Sequence, residues 1–114
     1  MKTVIIVIST YNGARQIERQ LDSIFAQIGV DVRVWVRDDC SKDNTVEVVQ
    51  KYAQRHPNNR IEIIKGENVG YAKSFWLGLS MCNDADYYAF ADQDDVWKPN
   101  KLIKCIDAMQ NENN

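Results

Sequence analysis

The sequence predicts a three-layer α/β/α fold on a mostly parallel sheet, with residues 1–114 forming one domain. Three observations carry that expectation. Apolar residues switch repeatedly along the chain between the strand period and the helical period. The first strand is a continuous β-branched run, as in a strand covered on both faces. Clusters of Asp, Asn, Ser and Gly recur at strand ends, and a parallel sheet gathers those ends on one edge.

Each element has its own signal. Val4 to Ile8 form the first strand, which stops at Thr10-Tyr11-Asn12-Gly13, where Asn12 is expected to cap a helix. In that helix Ile17, Leu21, Ile24, Phe25 and Ile28 share one face. Val32, Val34 and Val36 alternate with Arg33, Trp35 and Arg37 as a second strand, and the loop Asp38 to Thr45 follows. Asn44, with Glu47 three residues on, predicts a capping box for a helix carrying Val46, Val49, Tyr52 and Ala53. Pro57 ends that helix near His56, because proline disfavours helical geometry in the residue before it. Ile61, Ile63 and Ile64 mark a third strand, and Ala72, Phe75, Trp76 and Leu79 a third helix with Phe75 and Trp76 read as core. Tyr87 to Ala91 is a fourth strand, and Leu102, Ile103, Ile106 and Met109 line a last helix before the polar tail 110–114. Parallel strands need long right-handed crossovers, so helices should cover both faces and all strand exits should share one edge.

Composition excludes several classes. A formal net charge of -2 gives no basic field, so no nucleic-acid partner is expected. The 3 cysteines, Cys40, Cys82 and Cys105, contain no C-x-x-C pair and read as reduced thiols, not a disulfide framework or a zinc site. His56 has no second imidazole with which to share a metal and reads as a surface residue. The run Val4–Ile8 is too short for a secretion signal, and no tract approaches the ~18 apolar residues of a membrane span. A cytoplasmic protein is expected, with peripheral placement at the inner face of the membrane as the variant.

The stretch YYAFADQDDVWKP, residues 87–99, runs from an apolar strand into Asp92, Asp94 and Asp95. Acidic residues after a strand are usually solvated turn residues. Crowded carboxylates nonetheless raise one another's pKa unless a cation offsets them. An all-oxygen cluster without nearby His or Cys selects Mg²⁺ or Mn²⁺, and Mg²⁺ is commonly held by one or two carboxylates together with substrate phosphates. Neither G-x-x-x-x-G-K-[ST] nor G-x-G-x-x-G is present, so the ion would take the place of a backbone phosphate cradle.

The four segments VIIVISTYNG (4–13), RDDCSKDNT (37–45), ENVGYAKSF (67–75) and ADQDDVWKP (91–99), in that order, resemble the nucleotide-binding half of family 2 glycosyltransferases with the Rossmann-like GT-A fold. The likeness is strongest to bacterial members that build surface polysaccharides, rhamnosyltransferases among them. It implies transfer of a sugar from a nucleotide-diphosphate donor, a UDP- or dTDP-sugar, to a glycan or lipid-linked acceptor with inversion. It implies that Thr10, Tyr11 and Asn12 lie against the nucleoside and that Asp39 accepts a hydrogen bond from a base ring N–H, which uracil, thymine and guanine all offer. Asp94 is then the direct metal ligand, Asp92 sits between ribose and metal, and Asp95 supports them or caps the following helix. Asn68 and Gly70 match the family's N-x-G segment near the donor. Where many members carry Arg and Asn a few residues on, this chain has Lys73, Ser74 and Phe75, and Lys73 is expected to supply the positive charge.

The family's general base lies in the acceptor-binding half, which the resemblance places beyond residue 114. The chain is therefore expected to bind donor with little turnover by itself and to self-associate as a homodimer through an apolar surface. A non-catalytic nucleotide-binding module is the alternative reading. A receiver-like signalling domain fits less well, because its acidic pair would follow the first strand, where this chain has Thr-Tyr-Asn.

Overall fold

The computed structural model describes residues 1–92 and 94–112. Gln93, the middle residue of the D-x-D, and Asn113 and Asn114 of the polar tail lie outside the described residues. Strands and helices alternate as expected: β1 (Lys2–Thr10), α1 (Ile17–Phe25), β2 (Val30–Asp38), α2 (Thr45–Arg55), β3 (Arg60–Lys65), α3 (Tyr71–Ser80), β4 (Tyr87–Ala91) and α4 (Lys101–Glu112). The strands form one parallel sheet in the order β3-β2-β1-β4. Residues Val4 to Thr10 of β1 are all buried, which is why the central strand reads as an unbroken apolar run.

Helices cover both faces. Ile17, Leu21 and Ile24 of α1, Val49 and Tyr52 of α2, and Leu102 and Ile106 of α4 pack with Val4, Ile6 and Ile8 on one side. The other side holds α3, where Phe75 packs against Ile5 and Val7. Burying such side chains contributes about 1.5–3 kcal/mol each, so the two faces are unequally anchored. The register sets Thr10 opposite Asp38, Asp38 opposite Lys65, and Ile8 opposite Ala91, so the strand exits lie level. Successive strands step outward from β1 to β3, and β4 then joins β1 on its other side, which makes a switch point between the exits of β1 and β4.

Several local expectations are corrected. Helix α1 begins with Gln16 as its N-cap, so Asn12 does not cap it. It ends at Phe25; Ile28 is exposed, its N–H bonded to the Pro99 carbonyl at 2.9 Å, and Gly29 at φ +78 has already turned the chain. Asn44 makes no side-chain cap and Glu47 pairs with Lys51 at 3.0 Å, while Asp43 accepts from the Thr45 N–H at 3.0 Å. Trp76 is 69% exposed; the buried face of α3 is Ser74, Phe75 and Gly78, of which small Ser74 and Gly78 let the helix approach the sheet. Cys40, expected as a small packing residue beside Asp39, is exposed. The outer surface at β4 and α3 carries exposed Tyr88, Phe90, Tyr71 and Trp76. Among the described residues no helix is long and apolar enough to cross a membrane.

Candidate functional site

Strand pleating turns the adjacent acids of the β2 exit to different tasks. Asp38 is structural: its Oδ1 accepts from the Thr10 hydroxyl at 2.8 Å and the Ser41 hydroxyl at 2.6 Å, and its Oδ2 from the Ser41 N–H at 2.8 Å. Asp39 instead lines a cavity of about 600 Å³ together with Ser9, Tyr11, Asn68, Gly70, Tyr71 and Asp92. The cavity sits at the switch point, between the exits of β1, β2 and β4 and the N-terminus of α3.

The floor beneath Asp39 is a buried polar network. Arg37 donates from Nη1 to Asp39 Oδ1 at 2.9 Å and to Ser74 Oγ at 2.9 Å, and from Nη2 to the Glu67 carbonyl at 3.2 Å. The Ser9 hydroxyl donates to Ser74 Oγ at 2.7 Å. Arg37, Asp39, Ser9 and Ser74 are all buried. Asp39 also accepts from the Val69 N–H at 2.9 Å and the Gly70 N–H at 3.1 Å, fastening the loop that leads into α3. Gly70 adopts φ +86, a left-handed conformation that glycine takes without strain. Burial pushes the Asp39 carboxyl upward, but the Val69 N–H, the Arg37 hydrogen bond, the Gly70 N–H and the Arg37 charge together hold it below its ordinary value.

The acid-rich loop after β4 is held from the opposite side by polar side chains on α1 and just past its end. Gln20 donates to the Asp92 carbonyl, the Ser23 hydroxyl accepts from the Trp97 N–H at 3.0 Å, and Gln27 donates to the Lys98 carbonyl at 2.7 Å while accepting from the Leu102 N–H at 3.0 Å. Gln20 and Gln27 are buried. Gln20 and Ser23 lie one turn apart on α1 beside its apolar face, the one signal open to sequence reading, and Gln27 follows past the helix end.

The expected site residues divide accordingly. Tyr11, Asp39, Asn68, Gly70 and Asp92 converge on the cavity. The hydroxyl of Thr10 ties β1 to β2, and Asn12 braces the β2 loop through Oδ1, which accepts from the Lys42 N–H at 2.8 Å. Lys73 is exposed on α3 and is absent from the cavity lining. Asp94 is exposed in a turn at φ +78, and Asp95 is exposed well before α4 begins, so Asp95 caps nothing there. Ser9 and Tyr71 join the lining without having been expected, and so does Arg37 beneath it. Among the described residues no group of three or more His, Cys, Asp and Glu side chains converges as a metal cage. The donors on hand are the solvent-facing carboxylates of Asp92 and Asp94, a chemistry that suits a hard ion completed by phosphate and water. Of the four described non-glycine residues at positive φ, Asn12, Cys40 and Asp94 lie at the exits of β1, β2 and β4, and Asp84 lies in the loop that enters β4.

Comparison with known proteins settles the family. The pattern of Glycosyl transferase family 2 matches residues 5–114. The chain belongs to that family. It is 35% identical over 105 residues to the dTDP-rhamnosyl transferase RfbG of Shigella flexneri, covering 89% of this chain and 36% of that protein. It is 34% identical over 105 residues to the uncharacterized glycosyltransferase alr2836 of Nostoc, covering 92% of this chain and 32% of the other. Among solved structures, the mannosyltransferase PcManGT of Pyrobaculum calidifontis, in complex with GDP-Man and Mn²⁺, superposes with a TM-score of 0.84 at 27% identity, over 90% of this chain and 31% of that one. TarS 1–349 of S. aureus with UDP-GlcNAc gives a TM-score of 0.77 at 28% identity, over 98% and 32%. The expected α/β architecture is thus that of GT-A glycosyltransferases, and the family 2 chain spans about a third of the length of these relatives.

Proposed function

We propose that this family 2 chain is the donor-binding portion of a metal-assisted glycosyltransferase that transfers a sugar from a nucleotide diphosphate, with inversion, in surface-polysaccharide synthesis. The observation that carries the reading is the convergence of Tyr11, Asp39, Asn68, Gly70 and Asp92, from sequence-distant segments, on one cavity at the switch point. Asp39 is an ionised acceptor suited to a base ring N–H, and Tyr11 and Tyr71 offer rings beside it. Asp92 and Asp94 would hold Mg²⁺ or Mn²⁺. When bound, that ion supplies Lewis-acid neutralisation of the diphosphate leaving group. The relatives extend well beyond the matched stretch, and we place the acceptor site and the general base in that remainder, so this chain alone turns over little. UDP- and dTDP-sugars are the donors we favour, since RfbG is a dTDP-rhamnosyl transferase and TarS was solved with UDP-GlcNAc. The setting we infer is the cytoplasm, at the inner membrane face when the acceptor is lipid-linked. A homodimer through the exposed Tyr88, Phe90 and Trp76 surface belongs to the same reading, and sedimentation tests it.

The deciding experiment titrates the protein with UDP, dTDP and GDP, with and without Mn²⁺, and repeats it with Asp94→Ala. The expected result is affinity that needs Mn²⁺ and falls at least about tenfold in Asp94→Ala, with circular dichroism unchanged. Equal binding with and without Mn²⁺, or no binding of any of the three, would overturn the reading.

A further inference from the structure

We propose that Arg37 is a specificity-determining positioning residue: its buried guanidinium holds Asp39 as an acceptor-only contact, so the cavity takes nucleotides whose base presents a ring N–H and rejects those presenting a bare ring nitrogen. The inference rests on the nucleotide-binding reading above and goes beyond it by naming what enforces base choice.

Four observations support the assignment. Arg37 is buried, and among the described residues its donors reach Asp39, Ser74 and the Glu67 carbonyl, so its charge serves the inside of the protein. The chain leaves room for the guanidinium at Gly66, where an added Cβ would lie 2.0 Å from Arg37 Nη2 and 2.5 Å from Cζ. Asp39 is fixed by Arg37 and the Val69 N–H on Oδ1 and the Gly70 N–H on Oδ2. A carboxylate accepts about four hydrogen bonds, so roughly one position stays open toward the cavity that Asp39 lines. Finally, the described residues around that cavity contribute Tyr11, Tyr71 and Asp92 as titratable groups and no cation, so Arg37 beneath the floor is the counter-charge.

The chemistry then follows. An ionised carboxylate accepts a hydrogen bond and donates none. At the ring position uracil, thymine and guanine present an N–H to such a group, whereas cytosine and adenine present a lone pair that it repels and would have to shift to offer their exocyclic amine instead. Without its cation, this enclosed carboxyl keeps only the Val69 and Gly70 N–H groups to offset burial, so its affinity for a proton rises. A protonated carboxyl donates as well as accepts, and the discrimination is lost.

The test compares size-matched pairs, UDP against CDP and GDP against ADP, all with Mn²⁺, between about pH 6.5 and about pH 8, where the ring nitrogens of cytosine and adenine stay unprotonated. Within a pair the diphosphate and ribose are common, so their titration cancels in the ratio. The protein should favour UDP over CDP, or GDP over ADP, by about tenfold or more, and the ratio should be flat over that range. Arg37→Met should reduce the ratio below about threefold at the acid end, and Arg37→Lys should restore much of it. A ratio in the unaltered protein that collapses toward one on acidification, or an undiminished ratio in Arg37→Met, overturns the inference. Should Arg37→Met fail to fold, the pH profile of the unaltered protein decides alone. Tight but indiscriminate binding of both members overturns this inference and leaves the donor-binding reading standing; binding of none overturns both.

Discussion

Replacing Gly66 by alanine sets two opposed effects against each other. Gly66 carries no positive φ, so alanine there should stabilise by about 0.4–1 kcal/mol through the unfolded chain. The new methyl, however, would meet Arg37 Nη2 at 2.0 Å, Cζ at 2.5 Å and Nε at 3.0 Å. A free arginine would swing aside at little cost. This one is tied to Asp39, Ser74 and the Glu67 carbonyl, and its side chain is 5% exposed, as is that of Asp39. Moving it parts a buried ion pair, which costs about 3 kcal/mol at the lower end of the measured range. The net expectation is a loss of about 2 kcal/mol. At roughly 2 cal/mol/K of unfolding entropy per residue, that lowers the Tm by about 8–10 °C for a chain of 114 residues. Urea melts by circular dichroism on four proteins, with and without Arg37→Ala, test the cause. In the Arg37→Ala background Gly66→Ala should be neutral or mildly stabilising. An equal loss in both backgrounds, or no loss in the first, refutes the argument.

Other outcomes follow from the same contacts. Gln20→Leu removes the donor to the Asp92 carbonyl but also a buried Oε1 that has no hydrogen-bond partner among the described residues. Its stability should therefore stay within about 1 kcal/mol of the parent while Mn²⁺-dependent UDP affinity falls about fivefold, read by paired urea melts and titrations. Asp43 is held below its ordinary value of 3.8 by its hydrogen bond from the Thr45 hydroxyl foremost, and Asp39 is depressed as well. A depressed folded pKa means that the stability these groups confer is complete above about pH 5 and is lost as pH falls through their folded values. Asp43→Asn should accordingly make the acid limb of stability against pH shallower, measured by urea midpoints between about pH 2.5 and pH 5. A limb of unchanged steepness would show that Asp43 does not contribute to it.

Order and type of every element were legible because burial leaves a period. β1, covered on both faces, is unbroken Val and Ile, and α1 repeats its apolar face cleanly over Ile17, Leu21 and Ile24. Periodicity says which residues share a face but not what that face meets. Arg37 alternates with Val34 and Val36 and so reads as outward, yet its side of β2 is roofed by α3, and only the tertiary fold turns it into a buried cation. Trp76 misled for the complementary reason: α3 lies so near the sheet that Ser74 and Gly78 occupy its inner face, and the bulkiest ring has to point away. Asp39 and Asp92 were readable as site residues because strand exits in a parallel sheet must share an edge. The α1 clamp was not, since nothing in Gln20 or Gln27 taken singly distinguishes a buried amide from a solvated one.

The unequal layers carry a last consequence. Among the described residues, α3 rests on a smaller core of buried Ile5, Val7 and Phe75 with half-buried Trp35 and Leu79 against it, while the mouth of the cavity is pinned to it through Asp39. That helix should therefore open more readily than α1, and its amides should exchange with deuterium ahead of those in α1. A molecule seated against Asn68 and Gly70 would slow that exchange chiefly in α3, so occupancy could be followed from a wall that quietens while the sheet behind it scarcely changes.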